Sequence, residues 1–168
     1  VRYYVLHEIP FAQDGNMTYE LIIERNNTDL ANTIGNLVNR TIGMAHKYRE
    51  GVIKKVILPE PFPLSLEEKA LQALPDITKH MDHLNVSEAL EVVVQLARQA
   101  NKYIDVSEPW NLKKVPEKQD VLDHVLYHLL ETIRYVAVTL QPFLPDTSTK
   151  ILQQIGVSDA SFESLQTF

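Results

Sequence analysis

Cysteine is absent from this chain of 168 residues, and its absence excludes several kinds of site at once. Disulfide bonds, thiolate metal sites and cysteine nucleophiles are all ruled out, and such a composition fits the cytoplasm. Glycine is scarce, with 5 residues in total, and no glycine-rich phosphate loop occurs. No apolar run approaches the roughly 20 residues of a membrane span, and no signal-peptide pattern opens the chain. We therefore expect a cytoplasmic protein with no membrane partner.

Basic residues are outnumbered as well. The 16 Lys and Arg residues stand against 22 Asp and Glu residues, which gives a formal net charge of −6. Indiscriminate nucleic-acid binding requires a basic domain, so this balance argues against it. The cationic residues are nevertheless clustered, between Arg40 and Lys55 and again between Lys113 and Lys118. We predict four phosphate-contact candidates within these clusters: Lys47, Lys54, Lys113 and Lys114.

No pattern in the chain predicts an active site or a metal site. The HExxH motif and the nucleophile elbow are both missing. Two histidine pairs occur at helical spacing, His80 with His83 and His124 with His128. Neither pair has a convincing third ligand nearby in the sequence, so we predict no metal and no catalytic residue.

Helical periodicity runs through most of the chain and predicts an all-α fold, an antiparallel bundle of about five helices. Residues 1–17 are expected to be irregular, with turn signals at Pro10 and at Asp14-Gly15. Capping patterns at Ser65 and Asn85 predict two helix starts. Gly51 predicts the end of a helix, and Pro75 predicts a kink or a break in one. The predicted helices span 18–48, 66–84, 85–106, 117–140 and 146–155, with a proline-bearing connector over 52–64.

The first long helix carries an unusual polar stripe. At roughly 100° per residue, the stripe lies nearly opposite an apolar side formed by Leu30, Ile34, Leu37, Thr41, Ala45 and Tyr48. Its own members are Asn32, Asn36, Asn39, Arg40, Gly43 and Lys47. Asn and Gly cost helix propensity, so an ordinary solvated face would contain other residues. Because Asn and Arg side chains suit nucleobase edges and phosphates, we interpret the stripe as a binding surface. A hydrated stripe or a contact between helices is the alternative.

Trp110, the only tryptophan, is the second candidate for RNA contact. It follows Pro109 directly after a predicted helix and precedes Lys113 and Lys114. A core anchor is one interpretation of a single tryptophan. In a turn beside basic residues, however, an indole is free to stack on an unpaired base. Single-stranded RNA is read by such stacking combined with side-chain hydrogen bonds, which favours an RNA partner.

The segments that carry these candidates resemble the methionyl-tRNA synthetase family. The run LANTIGNLVNRTIGMAHKYREGVI (30–53) resembles the first helix of the family's anticodon domain, and LNVSEALEVVVQLARQANKYIDVSEPWNLKK (84–114) resembles its second strong block, including the Pro-Trp pair. The opening VRYYVLHEIPFAQDG (1–15) is similar to the segment that follows the family's KMSKS loop. LQPFLPDTSTKILQQIG (140–156) is similar to its closing helix pair. The HIGH and KMSKS motifs and the zinc-knuckle cysteines are missing.

The resemblance implies roles for four residues. Asn36, Arg40 and Trp110 match the family residues that read the CAU anticodon, by stacking of the tryptophan and hydrogen bonds from the asparagine and the arginine. Asn32 matches a further position on the same face. The stripe and the single tryptophan point to the same four residues independently.

The resemblance also implies a division of the chain and a set of partners. Residues 1–17 would be the tail of the catalytic and stem-contact region, and residues 18–168 the anticodon-binding bundle, so we expect a piece of a longer protein. That enzyme would use ATP and methionine, while this piece would hold no cofactor. Its partners would be the anticodon loop of the methionine tRNA and the catalytic domain of the same chain.

Two alternatives remain at this point. One is the anticodon domain of a leucine-, isoleucine-, valine- or cysteine-type synthetase, which would share the bundle without the Asn36–Arg40 pair and Pro-Trp. The other is a helical interaction module without an RNA partner, which would show a continuous apolar surface patch.

Overall fold

The computed structural model describes residues 1–9, 14–59, 62 and 64–168, and over these residues the regular structure is helical without a β-strand. The predicted all-α bundle is confirmed. In chain order the helices are α1 (Arg2–Glu8), α2 (Tyr19–Arg25), a π-helical segment (Asn26–Gly35), α3 (Asn36–Arg49), α4 (Leu66–Asp82), α5 (Val86–Ser107), α6 (Pro109–Leu112), α7 (Gln119–Leu140) and α8 (Pro145–Gln154). Short 3-10 turns lie at Pro116–Lys118 and Phe162–Gln166. Pro10 and the connector residues Pro61 and Pro63 lie outside the described residues.

Helices α5 and α7 form the centre of the bundle. Helix α5 packs against α1, the π-helical segment, α4 and α7, while α7 also packs against α3, α6 and α8. Every residue from 135 to 140 of α7 is buried, so this end of the helix is covered on all sides, as an apolar run of this kind requires. Despite that run, none of the described helices is both long and apolar enough to cross a bilayer.

Helix boundaries follow the capping signals of the sequence in most places. The Thr18 and Ser65 hydroxyls each accept a hydrogen bond, at 3.3 Å, from the backbone N–H three residues further on. Gly51 has a φ of 81° and donates its N–H to the Ala45 carbonyl at 3.2 Å, which closes the long helix as predicted. Asn85 precedes α5 as expected, but its side chain makes no capping hydrogen bond.

The expectation that residues 1–17 are irregular is wrong, because Arg2–Glu8 forms helix α1. Tyr3 and Tyr4 are both buried, and the Tyr4 hydroxyl donates to the Asn16 carbonyl at 2.6 Å. A helix of seven residues is too short to be stable alone, so its local signal is weak. Contacts with α5 stabilise it instead.

Of the kink or break predicted at Pro75, the break does not occur. Helix α4 continues through Pro75 to Asp82. Proline removes one backbone N–H and leaves the carbonyl four residues earlier without its helical donor. Pro75 and Leu71 both lie on the exposed side, where water can satisfy that carbonyl.

The long helix predicted over 18–48 exists, but its middle is π-helical. The backbone stays in the right-handed helical region at Arg25, Asn26, Gly35 and Asn36, so α2, the π-helical segment and α3 form one continuous rod. Two side chains satisfy carbonyls in the widened turn. The Thr33 hydroxyl donates to the Thr28 carbonyl at 2.8 Å, and the amide of Asn101 in α5 donates to the Thr33 carbonyl at 3.0 Å.

A buried carboxylate joins α1, the long helix and α5. Asp29 of the π-helical segment is fully buried, and it accepts hydrogen bonds from the Tyr3 hydroxyl at 2.9 Å and from Arg98 Nη2 at 2.7 Å. Arg98 also contacts Glu91 Oε1 at 2.6 Å, and Glu91 contacts the His7 ring at 3.1 Å. Burial, together with the hydrogen bond to Asp29, raises the pKa of Tyr3, so its hydroxyl remains a donor. This network fixes the position of α1 and of the long helix on α5.

We expect Asp29→Asn to lower the free energy of unfolding by about 3 kcal/mol. This value is at the lower end of the range for a broken buried ion pair, because Arg98 keeps some access to water. Urea denaturation followed by circular dichroism measures the change. The matched control is Asp105→Asn, which breaks the surface pair between Arg40 and a carboxylate that is 65% exposed. That variant should lose less than about 1 kcal/mol. Equal losses in the two variants would contradict a structural role for burial of Asp29.

Candidate nucleic-acid interface

The polar stripe lies on the exposed side of the long helix, as the sequence predicts. Asn32, Asn36, Asn39, Gly43 and Lys47 are exposed and Arg40 is half-buried. On the opposite side the buried residues are Ile34, Leu37, Thr41 and Ala45. Asn36 and Arg40 are both in α3, where a spacing of four residues directs two side chains to the same side.

Asn32 differs from the other members of the stripe because it belongs to the π-helical segment. A π-helix needs more residues for each turn than an α-helix, since its hydrogen bonds join residues five apart. The α-helical spacing used to align Asn32 with Asn36 and Arg40 therefore does not apply. Asn32 is exposed, and its part in binding remains a prediction.

Arg40 connects the stripe to the end of α5. Its Nη2 lies 2.9 Å from Oδ1 of Asp105, two residues before α5 ends. The pair is partly exposed, with 31% of the Arg40 side chain and 65% of the Asp105 side chain accessible. Such a pair contributes only about 0–1 kcal/mol, so a ligand can replace the carboxylate at little cost. Asp105 was not singled out in the sequence, because no local pattern marks a salt-bridge partner 65 residues away.

A sharp corner places Trp110 five residues after Asp105. The chain turns out of α5 at Glu108, whose φ of 43° is unusual for a residue with a side chain. Pro109 is buried and begins α6, and Trp110 follows on the outside with 38% of its surface exposed. The tryptophan predicted to lie in a turn is therefore in a single helical turn, with part of the indole accessible to a stacking partner.

The segment that carries Trp110 is fixed against the C-terminal end of α3. Arg49 forms a salt bridge with Asp123 of α7, and both side chains are largely buried. Arg49 Nη2 also donates to the Gln119 carbonyl at 3.0 Å. The Gln119 amide donates in turn to the Val115 carbonyl at 2.7 Å. These contacts hold the end of α3, the start of α7 and the segment after α6 together. The Arg40–Asp105 pair places Arg40 at the end of α5, and Trp110 follows that end in the chain.

Four exposed lysines lie in the last turn of α3 or in the segments that follow α3 and α6 in the chain. Lys47 Nζ lies 5.9 Å from the centre of the Tyr48 ring, and Lys113 Nζ lies 3.5 Å from the Tyr48 carbonyl. The last turn of α3 and the residue after α6 thus each place an ammonium group near Tyr48. The phosphate-contact candidates, all exposed, are Lys47, Lys54, Lys113 and Lys114.

The described part of the predicted connector contacts α7 and α5. The Val56 carbonyl is 2.8 Å from Nδ1 of His124, and the Phe62 ring packs 5.2 Å from the ring of Tyr103. His124 and His128 have ring centres 3.9 Å apart. Within the described part of the chain, no three His, Cys, Asp or Glu residues come together as metal ligands would.

Comparison with known proteins assigns the family. Residues 63–167 match the sequence profile of the anticodon binding domain of methionyl tRNA ligase, which is more than half of the chain. This chain belongs to the methionyl-tRNA synthetase family. Residues 1–42 match a second profile, that of the class I tRNA synthetases of the methionine type. The match decides for the methionine family over the other class I types left open by the sequence.

Relatives within the methionyl-tRNA synthetase family cover the whole chain. The methionine–tRNA ligase of Clostridium perfringens is 46% identical over 168 residues, which is 100% of this chain and 26% of that protein. The Bacillus subtilis ligase is 43% identical over 166 residues, or 98% of this chain and 25% of that protein. The chain therefore spans about a quarter of the length of these relatives.

A solved structure shares the fold. The Mycobacterium tuberculosis methionyl-tRNA synthetase in complex with methionyl-adenylate superposes with a TM-score of 0.88 at 35% sequence identity. The match covers 98% of this chain and 33% of that one. The helical arrangement described above is thus the arrangement found in a methionyl-tRNA synthetase.

The histidine pair gives a prediction about pH. Burial, with the nearby charges of His124 and Lys55, lowers the pKa of His128 to about 4, against about 6.5 in an unfolded chain. The unfolded state therefore binds more protons between these pH values, so stability should fall as pH decreases from 6.5 toward 4. We expect His128→Leu to make the thermal midpoint less dependent on pH across this window.

The exposed His83 provides the control for this measurement. His83→Leu should leave the slope of the thermal midpoint between pH 6.5 and pH 4 unchanged. If His128→Leu also left that slope unchanged, His128 would not be the group that couples protonation to unfolding.

Proposed function

We propose that this chain recognises the anticodon of the methionine tRNA within a longer methionine–tRNA ligase. That enzyme would join methionine to its tRNA with ATP, and a methionyl-adenylate complex is known for its Mycobacterium tuberculosis relative. The role of this chain would be positional, because anticodon contacts orient the tRNA so that its acceptor end reaches the catalytic domain of the same polypeptide.

The observation that carries the proposal is the cluster at one end of the bundle. Asn36 and Arg40 project from the same side of α3, Arg40 reaches Asp105, and Trp110 follows at the next corner. Amide and guanidinium groups offer the donors and acceptors that base edges require, and a partly exposed indole offers a stacking face. We assign base contacts to Asn36, Arg40 and Trp110, a further contact to Asn32, and phosphate contacts to Lys47, Lys54, Lys113 and Lys114.

The net charge of −6 fits recognition by a few specific contacts. A strongly basic domain would bind any polynucleotide through its phosphates, with a steep dependence on salt. In this chain the exposed residues Lys47, Lys113 and Lys114 lie in α3 and directly after α6, while other cationic residues, such as Lys69 and Lys79 of α4, lie elsewhere. The anticodon loop is therefore a better candidate partner than a long stretch of duplex.

Trp110→Ala and Arg40→Ala, each introduced into the full-length ligase, should raise the barrier for tRNA charging by about 1–3 kcal/mol. This corresponds to a loss of roughly 5- to 150-fold in kcat/KM for tRNA. Steady-state aminoacylation measures the loss. Methionine activation without tRNA should be unaffected, because neither residue belongs to the chemical step.

The matched control for the tryptophan is Phe162→Ala, since Phe162 is 41% exposed and Trp110 is 38% exposed. If Phe162→Ala and Trp110→Ala lowered kcat/KM equally, the loss would not come from stacking at the corner. Full charging activity in both Trp110→Ala and Arg40→Ala would refute the proposed site.

Gly43 provides a test in which stability and binding move in opposite directions. A Cβ at this position would meet no atom from outside the surrounding turn of helix within 4 Å, so the fold itself does not require glycine there. Gly43→Gln should stabilise the helix by about 0.5–1 kcal/mol, because glycine is a poor helix former. The same side chain would project from the stripe one turn beyond Asn39 and Arg40, and we expect a roughly tenfold loss of kcat/KM for tRNA, about 1.4 kcal/mol.

Thermal unfolding and charging kinetics on the same preparation give both quantities. A stabilised Gly43→Gln variant with unchanged kcat/KM would mean that RNA does not approach this part of the stripe.

A further inference from the structure

A groove of about 550 Å³ runs between the long helix and α8. Its floor is apolar and nearly closed to solvent: Ile34, Val38 and Ile151 are 2%, 5% and 6% exposed. Leu30 and Ile42, both half-buried, form part of its wall. The volume lies within the roughly 300–1,000 Å³ of small-ligand sites.

The polar residues at the edge of this groove are all neutral or cationic. They are Asn39 of the stripe and Thr147, Lys150 and Gln154 of α8. Among the described residues no carboxylate lines the groove, although the chain contains 22 acidic residues. The cavity of equal size between α4 and α5 is different, because Asp76, Glu88 and Glu91 line it. Lys150 forms no salt bridge with any residue in the described ranges.

The groove borders the stripe on the side opposite to Trp110. At about 100° per residue, Arg40 is rotated by roughly 40° from Asn36 in one direction, and Asn39 by roughly 60° in the other. Arg40 reaches the end of α5, and Asn39 forms the edge of the groove. Asn36 therefore lies on a ridge between the tryptophan corner and the groove.

We propose that this groove is a second nucleotide subsite, which binds an unpaired nucleotide of the same RNA loop. The apolar floor would accept the face of a base, the Asn39 amide would bond its edge, and Lys150 would contact its phosphate. Absence of acidic groups and continuity with the stripe favour an anionic polynucleotide over a protein segment. The inference rests on the proposed function. It adds that the RNA loop straddles α3, with one nucleotide bound on each side of the helix.

The first test is photocrosslinking of the full-length ligase with methionine tRNA that carries 4-thiouridine at one loop position at a time. We expect one loop position to crosslink to peptides of α8, residues 145–154, and a different position to crosslink to the α6 segment. Crosslinks to α3 and α6 but to no α8 peptide would overturn the second subsite and leave the proposed function standing. Without any crosslink to this chain from any loop position, both proposals would fail.

The second test uses exposed residues of the groove edge, whose substitution leaves the core intact. Asn39→Ala and Lys150→Ala should each raise KM for tRNA by roughly three- to tenfold, the range of one lost hydrogen bond. Lys79→Ala, at an exposed position of α4 away from the groove, is the matched control and should change nothing. The rate of methionine activation should be the same in all three variants, and the thermal midpoint should not fall in any of them, because alanine is the best helix former.

Thr147→Trp tests occupancy directly, because an indole added at the groove edge would fill the space proposed for a base. We expect a KM increase at least as large as that of Lys150→Ala, with loss of the α8 crosslink and retention of the α6 crosslink. An unchanged KM in Asn39→Ala, Lys150→Ala and Thr147→Trp would overturn the proposal. A groove variant that altered self-association of the enzyme and left KM for tRNA unchanged would overturn it too, in favour of a protein occupant.

Discussion

The ion pair between Asp29 and Arg98 is the constraint on which the arrangement of this bundle depends. A fully buried carboxylate is tolerated only if its hydrogen bonds are satisfied, and its two partners come from α1 and α5. The long helix can therefore lie on α5 in only one register. Further along the contact between the long helix and α5, the same register places Arg40 beside Asp105. The stripe therefore lies next to the end of α5 that Trp110 follows.

The candidate site itself is built from groups that stabilise the fold little. Exposed asparagines and a glycine cost helix propensity, and the Arg40 pair is a weak surface interaction. The rigid parts lie underneath, in the Arg49–Asp123 pair, the Gln119 hydrogen bonds and the filled core of α5 and α7. Side chains on regular helices over such a core keep their positions better than side chains on loops. In the proposed function, a few well-placed contacts would give selectivity that a net charge of −6 does not provide by electrostatics alone.

The features predictable from the sequence are those with local causes. Capping at Thr18 and Ser65, the stop at Gly51 and the two sides of the long helix all follow from residues within one or two turns. Helix α1, the π-helical turn and Asp105 as the partner of Arg40 depend on contacts between residues distant in the chain. Asn101 satisfies a carbonyl 68 residues away, and no window of sequence reports such a bond.

The π-helical segment has a consequence for how the length of this chain can change. In most proteins an added or deleted residue is absorbed by a loop, because one residue in an α-helix rotates everything beyond it by roughly 100°. In this chain the rotation per residue changes within the long helix itself, in the π-helical segment between Asn26 and Gly35. Loss of a single residue there, with rewinding to an α-helix, would turn Tyr19–Arg25 away from α1, where Arg25 now lies 2.8 Å from Glu8. Insertions and deletions in this segment therefore change how α2 is oriented relative to α3, and with it the contact between α2 and α1.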